Sequence, residues 1–589
     1  MRILGISCFF HDAAAVLVED GYLISAAEEE RFTRKKHDFN FPSNAINFCL
    51  KNSNLNHTDI DAVVFFEKPF LKFERILTTT VSSFPRTMKM FNQSMRTWLF
   101  DKMWIKSQIK EFLKISEDKI FFSDHHLSHA ASSYYCSPFD AATIVTFDGV
   151  GEWATTTFGT ATKNEINLDK EIRFPHSIGL LYSAFTAFLG FEVNEGEYKV
   201  MGMAPFGTPK YSDKVREVVH QFEDGSIWLN NKYFSFHNST HQSYTRNFEK
   251  LFGMAREPEL PFFTDKTGFP SYFGDPPRDM NEKIKFNQYY ADIAASIQFV
   301  TEEIILKMLK VLKNDNKSDN LCLSGGVALN SAVNGKIINE TGFKDIFIQP
   351  AAGDSGGALG AAMYFWNAIS SDSERFHMDH VYWGEEYSEE YIKSILEKSG
   401  LRFKVYSEDE LLKNISEKIV NQKVIGWFQG RFEWGPRSLG NRSILADPRN
   451  SNMKDIVNIK IKFREPFRPF APSVLSNQVN NYFDVPTSST GQLEKFMLSV
   501  VPVRKKKFSE IAAVNHMGTA RIQTVFEDSN PLYYGLIQNF FEMTGTPMLL
   551  NTSFNIRGEP IVNTPEDAIK TFLNSGIDTL VLGYFVIDK

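Results

Sequence analysis

Thr143-Ile-Val-Thr-Phe-Asp-Gly-Val-Gly-Glu152 decides the fold class, because an apolar run leads directly into a polar turn that carries an aspartate and two glycines. The pattern predicts a strand over Thr143–Phe147, a loop over 148–151 and a returning strand over 152–160. A strand that ends in such a loop presents its polar side chains at one edge of a sheet.

A second unit of the same kind opens the chain. Strands are predicted over Ile3–Ser7, Ala13–Glu19 and Tyr22–Glu28, and Asp20-Gly21 is a strong signal for a tight hairpin turn. The two units lie about 140 residues apart and share a pattern more than residue identity. Duplicated loops that face each other across a cleft are typical of the actin, hexokinase and heat-shock ATPase superfamily, which grips nucleotide phosphates with them. The sequence is consistent with an α/β fold of this superfamily.

Two histidines, His125 and His129, stand four residues apart shortly before the Asp148 loop. Residues at this spacing share one face of a helix, so both imidazoles can reach one ion, and Asp148 can supply an oxygen ligand. No glutamate lies between the histidines, which excludes the His-Glu-x-x-His pattern of a metalloprotease helix. We interpret the pair as metal ligands; capping or surface histidines are the alternative.

Two glycine loops follow in the same half of the chain. Apolar periodicity predicts a helix over Ala291–Leu312, followed by a strand that ends in the turn Ser324-Gly-Gly-Val-Ala-Leu-Asn330. Paired glycines let a backbone approach a ligand, and the N–H groups of the next helix favour an anion or a ribose-phosphate edge. The second loop, Gln349–Gly360, carries Asp354. A loop aspartate is usually a helix cap, but three loops of one pattern in order favour a metal or nucleotide role.

Composition limits the class of protein. A chain of 589 residues predicts two large domains, and the polar stretch Ser370–Arg375 predicts a linker between domains at 1–370 and 371–589. The net charge of -7 argues against wholesale nucleic-acid binding. Four scattered cysteines indicate neither a zinc knuckle nor a disulfide framework and favour the cytoplasm. We expect neither secretion nor membrane insertion, because no signal-peptide pattern and no uncharged apolar run of spanning length is found.

Arginines gather in the second domain over Arg431–Arg449 and continue to Arg468. Guanidinium groups hold phosphate oxygens bidentately, and the interspersed glycines and prolines predict a defined loop. Interrupting acidic residues disfavour a nucleic-acid patch and favour a small phosphorylated ligand. Residues 551–559 are predicted to form a turn after a strand over Met548–Leu550 and to supply a second wall of this pocket; a polar hairpin turn is the alternative.

Eight stretches together resemble the NodU/CmcH family of O-carbamoyltransferases, in order and over essentially the whole chain. They are Phe10–Ala15, Glu28–Phe32, Asp124–His129, Gly196–Pro205, Leu323–Asn330, Gly435–Ile444, Phe463–Pro472 and Asn551–Asn555.

The resemblance implies an enzyme that uses carbamoyl phosphate and ATP to carbamoylate a hydroxyl group of a small-molecule natural product. A C-terminal α/β domain similar to the YrdC fold would form carbamoyl-adenylate. An N-terminal domain similar to the threonylcarbamoyl-transfer relatives of actin-type ATPases would bind that adenylate next to a metal and pass the carbamoyl group on. Iron as the metal, Mg²⁺ with ATP and a homodimer are further implications.

The resemblance also implies roles for individual residues. His125, His129, Asp148 and Asp354 would bind the metal. His11 would act as general base on the acceptor hydroxyl or orient the carbamoyl group, with Lys199 and Glu197 on the adenylate side. Nucleotide contacts would come from Gly149, Ser324, Gly325, Gly326, Val327 and Asn330. Carbamoyl phosphate and ATP would be held by Arg431, Arg437, Arg442, Arg449, Lys462, Arg464, Arg468, Ser553 and Asn555.

Two other functions remain open from the sequence. Transfer of a threonylcarbamoyl group to tRNA would use the same folds, although the acidic net charge and the lack of a basic arm disfavour it. A non-catalytic, nucleotide-dependent scaffold with an actin-type fold is the second alternative, which the retained His11 and metal set disfavour. The regions that would select the acceptor, 70–119 and 211–285, show no interpretable chemistry.

Overall fold

The structure is a computed structural model that describes residues 1–82, 84, 87, 91, 104–239, 242–316, 318–370, 375–486 and 491–589. It divides the chain into two compact units. Unit 1 comprises Met1–Glu29, Phe39–Lys266 and Arg278–Met378, and unit 2 comprises Glu30–Asp38, Thr267–Pro277 and Asp379–Lys589. The short segments 30–38 and 267–277 therefore belong to unit 2, although the chain around them belongs to unit 1. Most of the expected linker, residues 371–374, and part of the region 70–119 lie outside the described residues.

Unit 1 is built on two five-stranded sheets. Its strands are β1 Arg2–Ser7, β2 Ala14–Glu19, β3 Tyr22–Glu28, β4 Ala62–Phe65, β5 Ile120–Phe122, β6 Ala141–Phe147, β7 Ala154–Thr162, β8 Glu165–Arg173, β9 Val219–Gln221, β10 Ile227–Leu229, β11 Asn320–Ser324 and β12 Asp345–Ile348. The helices of unit 1 that have more than one turn are Ser43–Asn52, Pro69–Ser82, Ile105–Leu113, His125–Tyr134, Ile178–Phe188, Glu197–Met203, Ser212–Val218, Arg246–Phe252, Met280–Asp315, Ser331–Thr341 and Asp354–Ile369.

The two sheets have the same topology. The first has the order β3-β2-β1-β4-β5, and the second has the order β8-β7-β6-β11-β12. In each sheet three consecutive strands form an antiparallel meander, and two further strands run parallel to its first strand. The duplicated hairpin unit expected from the sequence is confirmed. The predicted α/β class is confirmed as well, and the strand order repeats in both sheets.

The carboxyl ends of the central parallel strands and their helices define the site edge of unit 1. Helix Asp354–Ile369 packs on helix His125–Tyr134, and a Cβ at Gly360 would lie 1.7 Å from the carbonyl oxygen of Ser128. Only a glycine permits this approach. The backbone contact fixes the two helices that carry three of the four expected metal ligands.

Unit 2 is built on one mixed sheet of eight strands, ordered β13-β22-β21-β14-β15-β20-β16-β19. Its strands are β13 Lys404–Val405, β14 Ile425–Phe428, β15 Arg442–Ala446, β16 Ala471–Leu475, β17 Val500–Pro502, β18 Thr519–Arg521, β19 Gln523–Val525, β20 Met548–Ser553, β21 Thr579–Leu582 and β22 Phe585–Asp588. Its helices are Glu30–Thr33, Glu389–Ser399, Glu408–Val420, Met453–Val457, Val479–Tyr482, Gln492–Lys495, Pro531–Thr544 and Pro565–Leu573. Separate apolar clusters around Phe554 and around Trp427 form the cores of this unit.

Several element boundaries differ from the sequence predictions. The helix expected over 291–312 is longer and spans Met280–Asp315, and the strand returning from the Asp148 loop begins at Ala154. The prediction that Asn551–Ser553 lie in a turn is wrong, because β20 continues to Ser553. Pairing with β15, which sets Asn551 opposite Leu445 and Ser553 opposite Ser443, extends the strand.

Candidate functional site

Helix His125–Tyr134 positions both histidines, as the spacing predicts. The side chains of His125 and His129 are both fully buried. Glu152 pairs with the first turn of this helix: its two carboxylate oxygens accept the backbone N–H of His125 at 2.9 and 3.2 Å. A carboxylate at this helix end pairs with otherwise unsatisfied N–H groups and with the positive end of the helix dipole.

The structure brings together all four predicted metal ligands. His125, His129, Asp148 and Asp354 are buried, and one donor atom from each lies within 4.8 Å of the other three. His125 Nε2 is 2.9 Å from Asp148 Oδ2, and His129 Nε2 is 3.5 Å from Asp354 Oδ1. The two Nε2 atoms are 3.1 Å apart.

This donor set fits a divalent cation. Two imidazole nitrogens and two carboxylate oxygens converge on one point, which suits iron, zinc or manganese. Asp354 Oδ2 and His129 Nδ1 are buried and have no hydrogen-bond partner among the described residues. Burial disfavours the charged form of His125, but its hydrogen bond to Asp148 and the nearby Glu67 and Asp354 raise its pKa to about 10. The cluster therefore attracts positive charge.

His126 does not belong to this cluster. Its Nδ1 lies 2.5 Å from Thr146 Oγ1 and its Nε2 lies 2.8 Å from the carbonyl oxygen of Ala154. Burial and the neighbouring His125 lower its pKa to about 3, so the ring is neutral. It is a structural histidine.

The Asp148 loop meets the first glycine loop. The backbone N–H of Gly326 donates to Asp148 Oδ1 at 3.2 Å, and Ser177 Oγ donates to the carbonyl oxygens of Asp148 and Gly149. Gly325 has a φ of +89°, and a Cβ there would lie 2.1 Å from the carbonyl oxygen of Phe147. Glycine is required at 325, and the close approach places Gly326 against the candidate metal ligand.

His11 lies in the loop between β1 and β2. Its Nδ1 is 2.8 Å from Asp12 Oδ2. Burial lowers the pKa of this histidine, but Asp12 and the more distant Asp354 and Asp148 outweigh burial and raise the pKa to about 9. The carboxylates of Asp148 and Asp354 therefore favour the charged form of His11.

Helix Ile178–Phe188 links the two remaining groups of nucleotide candidates. Ser183 Oγ donates to Glu197 Oε1 at 2.8 Å, and the neighbouring Tyr182 hydroxyl donates to Gln298 Oε1 at 2.8 Å. Gln298 in turn exchanges hydrogen bonds with the side chain of Asn330.

Three other candidates for the adenylate site are Lys199, Val327 and Ser324. Lys199 lies over the ring of Phe191, with Nζ 5.6 Å from the ring centroid. Val327 lies in the short 3-10 turn Gly326–Leu329. Ser324 Oγ is buried and has no hydrogen-bond partner among the described residues.

In unit 2 a buried acid shapes the arginine loop. Glu433 is fully buried, and its Oε1 accepts the backbone N–H groups of Leu439, Asn441 and Arg442 at 2.9, 2.8 and 3.1 Å. The half-buried Arg437 lies inside the loop that this carboxylate folds. Arg431, 3.9 Å from Glu386, lies just before it.

Arg442, which was predicted to bind a phosphate, has partners within its own loop. Its guanidinium is fully buried, donates to the carbonyl oxygens of Gln429, Gly430 and Asn441, and lies 3.6 Å from the ring centroid of Phe428. These carbonyl oxygens accept hydrogen bonds from Nη1 and Nη2 of Arg442. It stabilises the loop from within.

Lys462, Ser553 and Asn555 form one cluster, in which Lys462 is buried and the other two are half-buried. Lys462 Nζ donates to the carbonyl oxygens of Ser553 and Asn555 and to Asn555 Oδ1, at 2.5, 2.9 and 2.7 Å. Burial, Arg464 and Arg468 hold the pKa of Lys462 well below its usual range. Three predicted residues therefore meet at one point, near Arg464 and Arg468. Arg449 is instead paired bidentately with the buried Asp447.

Three residues at this edge of unit 1 were not predicted from the sequence. Glu67 follows β4, Lys72 is paired with it at 2.5 Å, and Arg75 Nη1 donates to the carbonyl oxygen of Gly151 at 2.7 Å. Lys72 and Arg75 lie in the region 70–119, which was expected to carry no interpretable chemistry. The available signal was the position of Glu67 just past a buried strand, where the carboxyl ends of parallel strands place ligands.

Comparison with known proteins identifies the family of this chain. The family model described as "Carbamoyltransferase N-terminus" matches residues 2–363, and "Carbamoyltransferase C-terminus" matches 416–589. The chain is 42% identical to the uncharacterized protein sll1178 of Synechocystis sp., covering 100% of this chain and 97% of that protein. It is 36% identical to the nodulation protein NolNO of Sinorhizobium fredii, covering 99% and 79%. It is 31% identical to the 3'-hydroxymethylcephem-O-carbamoyltransferase of Amycolatopsis lactamdurans, covering 49% of this chain and 53% of that protein.

This chain belongs to the carbamoyltransferase family, both of whose domain models it matches in order. Membership makes it a transferase and assigns carbamoyl transfer as its class of reaction. Among the described residues, no helix is both long and apolar enough to cross a bilayer.

Proposed function

We propose that this protein is an ATP-dependent O-carbamoyltransferase that takes its carbamoyl group from carbamoyl phosphate and delivers it to a hydroxyl group of a small molecule. The single observation that carries the proposal is the convergence of His125, His129, Asp148 and Asp354 on one point of a carbamoyltransferase-family fold. A hydroxyl acceptor is supported by the relative from Amycolatopsis lactamdurans, whose name specifies O-carbamoylation of a hydroxymethyl group.

Unit 2 is proposed to activate the carbamoyl group as carbamoyl-adenylate, with ATP taken as its Mg²⁺ complex. Carbamoyl phosphate and water give carbamate and phosphate; a carbamate oxygen then attacks the α-phosphorus of ATP, and pyrophosphate leaves. These steps need fixed positive charge around phosphate oxygens. We assign that charge to Arg437, in the loop folded by Glu433, and to Arg464 and Arg468, which lie near the buried Lys462.

Unit 1 is proposed to transfer the carbamoyl group. The acceptor hydroxyl attacks the carbamoyl carbon, AMP leaves, and the hydroxyl proton passes to a base or to solvent. A divalent cation held by the four-residue cluster would act there as a Lewis acid toward the carbamoyl carbonyl, and iron is the identity we propose. Gly326 and Asn330 would face the nucleotide, and His11 would act as general base on the acceptor hydroxyl or orient the carbamoyl group. We propose the reducing cytoplasm as the compartment.

Pyrophosphate release tests the proposal without knowledge of the acceptor. We expect the purified protein to release pyrophosphate from ATP only when carbamoyl phosphate is added. Arg437→Ala should abolish this release, and His125→Ala should retain it because the cluster belongs to the transfer step. No pyrophosphate from the wild-type protein, with ATP and carbamoyl phosphate shown to be bound, would refute the proposal and favour a nucleotide-dependent scaffold.

A further inference from the structure

A buried ion pair lies directly beside the candidate metal site. Glu67 and Lys72 are 2% and 1% exposed, and Lys72 Nζ is 2.5 Å from Glu67 Oε2. Desolvating two opposite charges costs about as much as their attraction returns, so such a pair contributes little net stability. Net stability therefore does not explain why this ion pair lies beside the candidate metal site.

Glu67 faces the side of His125 that points away from the cluster. Its Oε2 is 3.7 Å from His125 Nδ1, while Nε2 of the same ring points to Asp148. Histidines that bind metals commonly present their second ring nitrogen to a carboxylate, which fixes the tautomer and the ring plane. Glu67 is the carboxylate on the Nδ1 side of the His125 ring.

Lys72 faces the loop of the candidate transfer histidine. Its Nζ lies 3.7 Å from the ring centroid of Phe10, the residue before His11. A cation over an aromatic face is attracted to it, most strongly where water is excluded. The one ammonium group therefore connects Glu67 with the His11 loop.

Helix Pro69–Ser82, which carries Lys72, also contacts the Asp148 loop. Arg75, three residues after Lys72, donates to the carbonyl oxygen of Gly151 at 2.7 Å. The backbone N–H of Lys68, just before the helix, donates to Glu152 Oε1, which also accepts the N–H of His125. Residues 67–75 thus contact three separate chain segments that carry predicted site residues.

We propose that Glu67 and Lys72 are positioning residues of the transfer site: Glu67 orients His125 toward the metal, and Lys72 holds the His11 loop in place. This inference rests on the metal site of the proposed function. It assigns no chemical step to either residue, because both act through a neighbour.

Metal affinity tests the role of Glu67. Zn²⁺ is titrated into the full-length protein in competition with a chromogenic chelator. Glu67→Gln, which keeps the shape and removes the charge, should weaken Zn²⁺ binding about 10- to 100-fold. Its matched control is Asp292→Asn, because Asp292 is also a buried acid of unit 1 paired with a lysine, Lys210, at 2.7 Å. The control should bind Zn²⁺ as the wild type does, and visible spectra of the Co²⁺-substituted proteins should change only in Glu67→Gln.

Hydrogen exchange tests the role of Lys72. In Lys72→Met the backbone amides of residues 8–13 should exchange faster than in the wild type, whereas in Asp292→Asn they should exchange at the wild-type rate. Where a single variant yields too little folded protein, Glu67→Gln/Lys72→Met removes both charges together and should show both effects.

The outcomes separate this inference from the proposed function. Wild-type Zn²⁺ affinity in Glu67→Gln, with binding lost in His125→Ala, would refute the role of Glu67 and leave the metal site standing. Unchanged exchange of residues 8–13 in Lys72→Met would refute the role of Lys72. No Zn²⁺ binding by the wild type would overturn both the metal site and the inference, while pyrophosphate release would still test unit 2.

Discussion

The Nε2 atoms of His125 and His129 lie 3.1 Å apart, with carboxylate oxygens of Asp148 and Asp354 on either side. Two imidazole nitrogens this close cannot both carry a proton toward each other, whereas both can donate a lone pair to a shared cation. The arrangement leads to the first of four predictions.

Metal binding should stabilise the protein through this cluster. At a free cation concentration of 100 times Kd, the free energy of unfolding should rise by about 2.7 kcal/mol, seen as a higher Tm. Chelation should reverse the rise, and His129→Ala should abolish it. His126→Gln is the control: losing the hydrogen bonds of the buried ring should cost about 1–3 kcal/mol, yet the metal-dependent shift should remain. An equal metal-dependent shift in His129→Ala would contradict the assignment.

Two arginines of one loop should respond differently to substitution. Arg442→Ala should lower the free energy of unfolding by about 3 kcal/mol, because several buried carbonyl oxygens lose their donor. Arg437→Ala should leave the free energy of unfolding close to that of the wild type and reduce pyrophosphate release about 100-fold or more. Urea unfolding and a pyrophosphate assay on the same samples separate the two effects. Stability losses of equal size in both variants would argue against the distinction.

The glycine at the helix crossing should not tolerate a methyl group. Gly360→Ala should destabilise the protein by about 1–3 kcal/mol and weaken Zn²⁺ binding, because the added Cβ pushes helix His125–Tyr134 away from Asp354. At an exposed position in a helix, Gly→Ala would raise the free energy of unfolding by about 1 kcal/mol. A decrease in the free energy of unfolding would therefore indicate the steric contact at Gly360. Gly353→Ala is the matched control, since a Cβ at 353 has no neighbour within 4 Å, and its unfolding free energy should stay within about 0.5 kcal/mol of the wild type.

The carboxylate that folds the arginine loop should matter through its charge. Glu433→Gln should lower the free energy of unfolding by about 1–3 kcal/mol and slow pyrophosphate release, because three backbone N–H groups lose a charged acceptor. Glu386→Gln, with a side chain 59% exposed, should change stability by no more than about 0.5 kcal/mol. Wild-type stability in Glu433→Gln would show that the loop folds without this charge.

Local signals made part of this molecule predictable. The turn Asp20-Gly21 and the alternation around it specify the opening hairpin, and the spacing of His125 and His129 places both on one helix face. Asp354 could be assigned to the same site only through the family resemblance, because the loop pattern alone left a metal role and a nucleotide role open. What failed depends on contacts distant in sequence: β20 runs on to Ser553 because β15 pairs with it.

The contact partners of the charged residues likewise had no signal in the sequence. Arg442 reads as a phosphate ligand in the sequence, and only the folded loop shows that carbonyl oxygens and Phe428 occupy its guanidinium. Glu67 and His125 are 58 positions apart, and no periodicity joins them. The short segments 30–38 and 267–277 carry no composition signal that assigns them to unit 2.

Those segments set an order of events during synthesis. Arg34 leaves the ribosome hundreds of residues before its acceptors, the carbonyl oxygens of Pro560 and Ile561. Unit 2 therefore cannot complete its structure until translation is nearly finished, and residues 30–38 must wait unsatisfied while the chain between them is made. A gene split near codon 370 would therefore encode a C-terminal half that lacks segments 30–38 and 267–277 of unit 2.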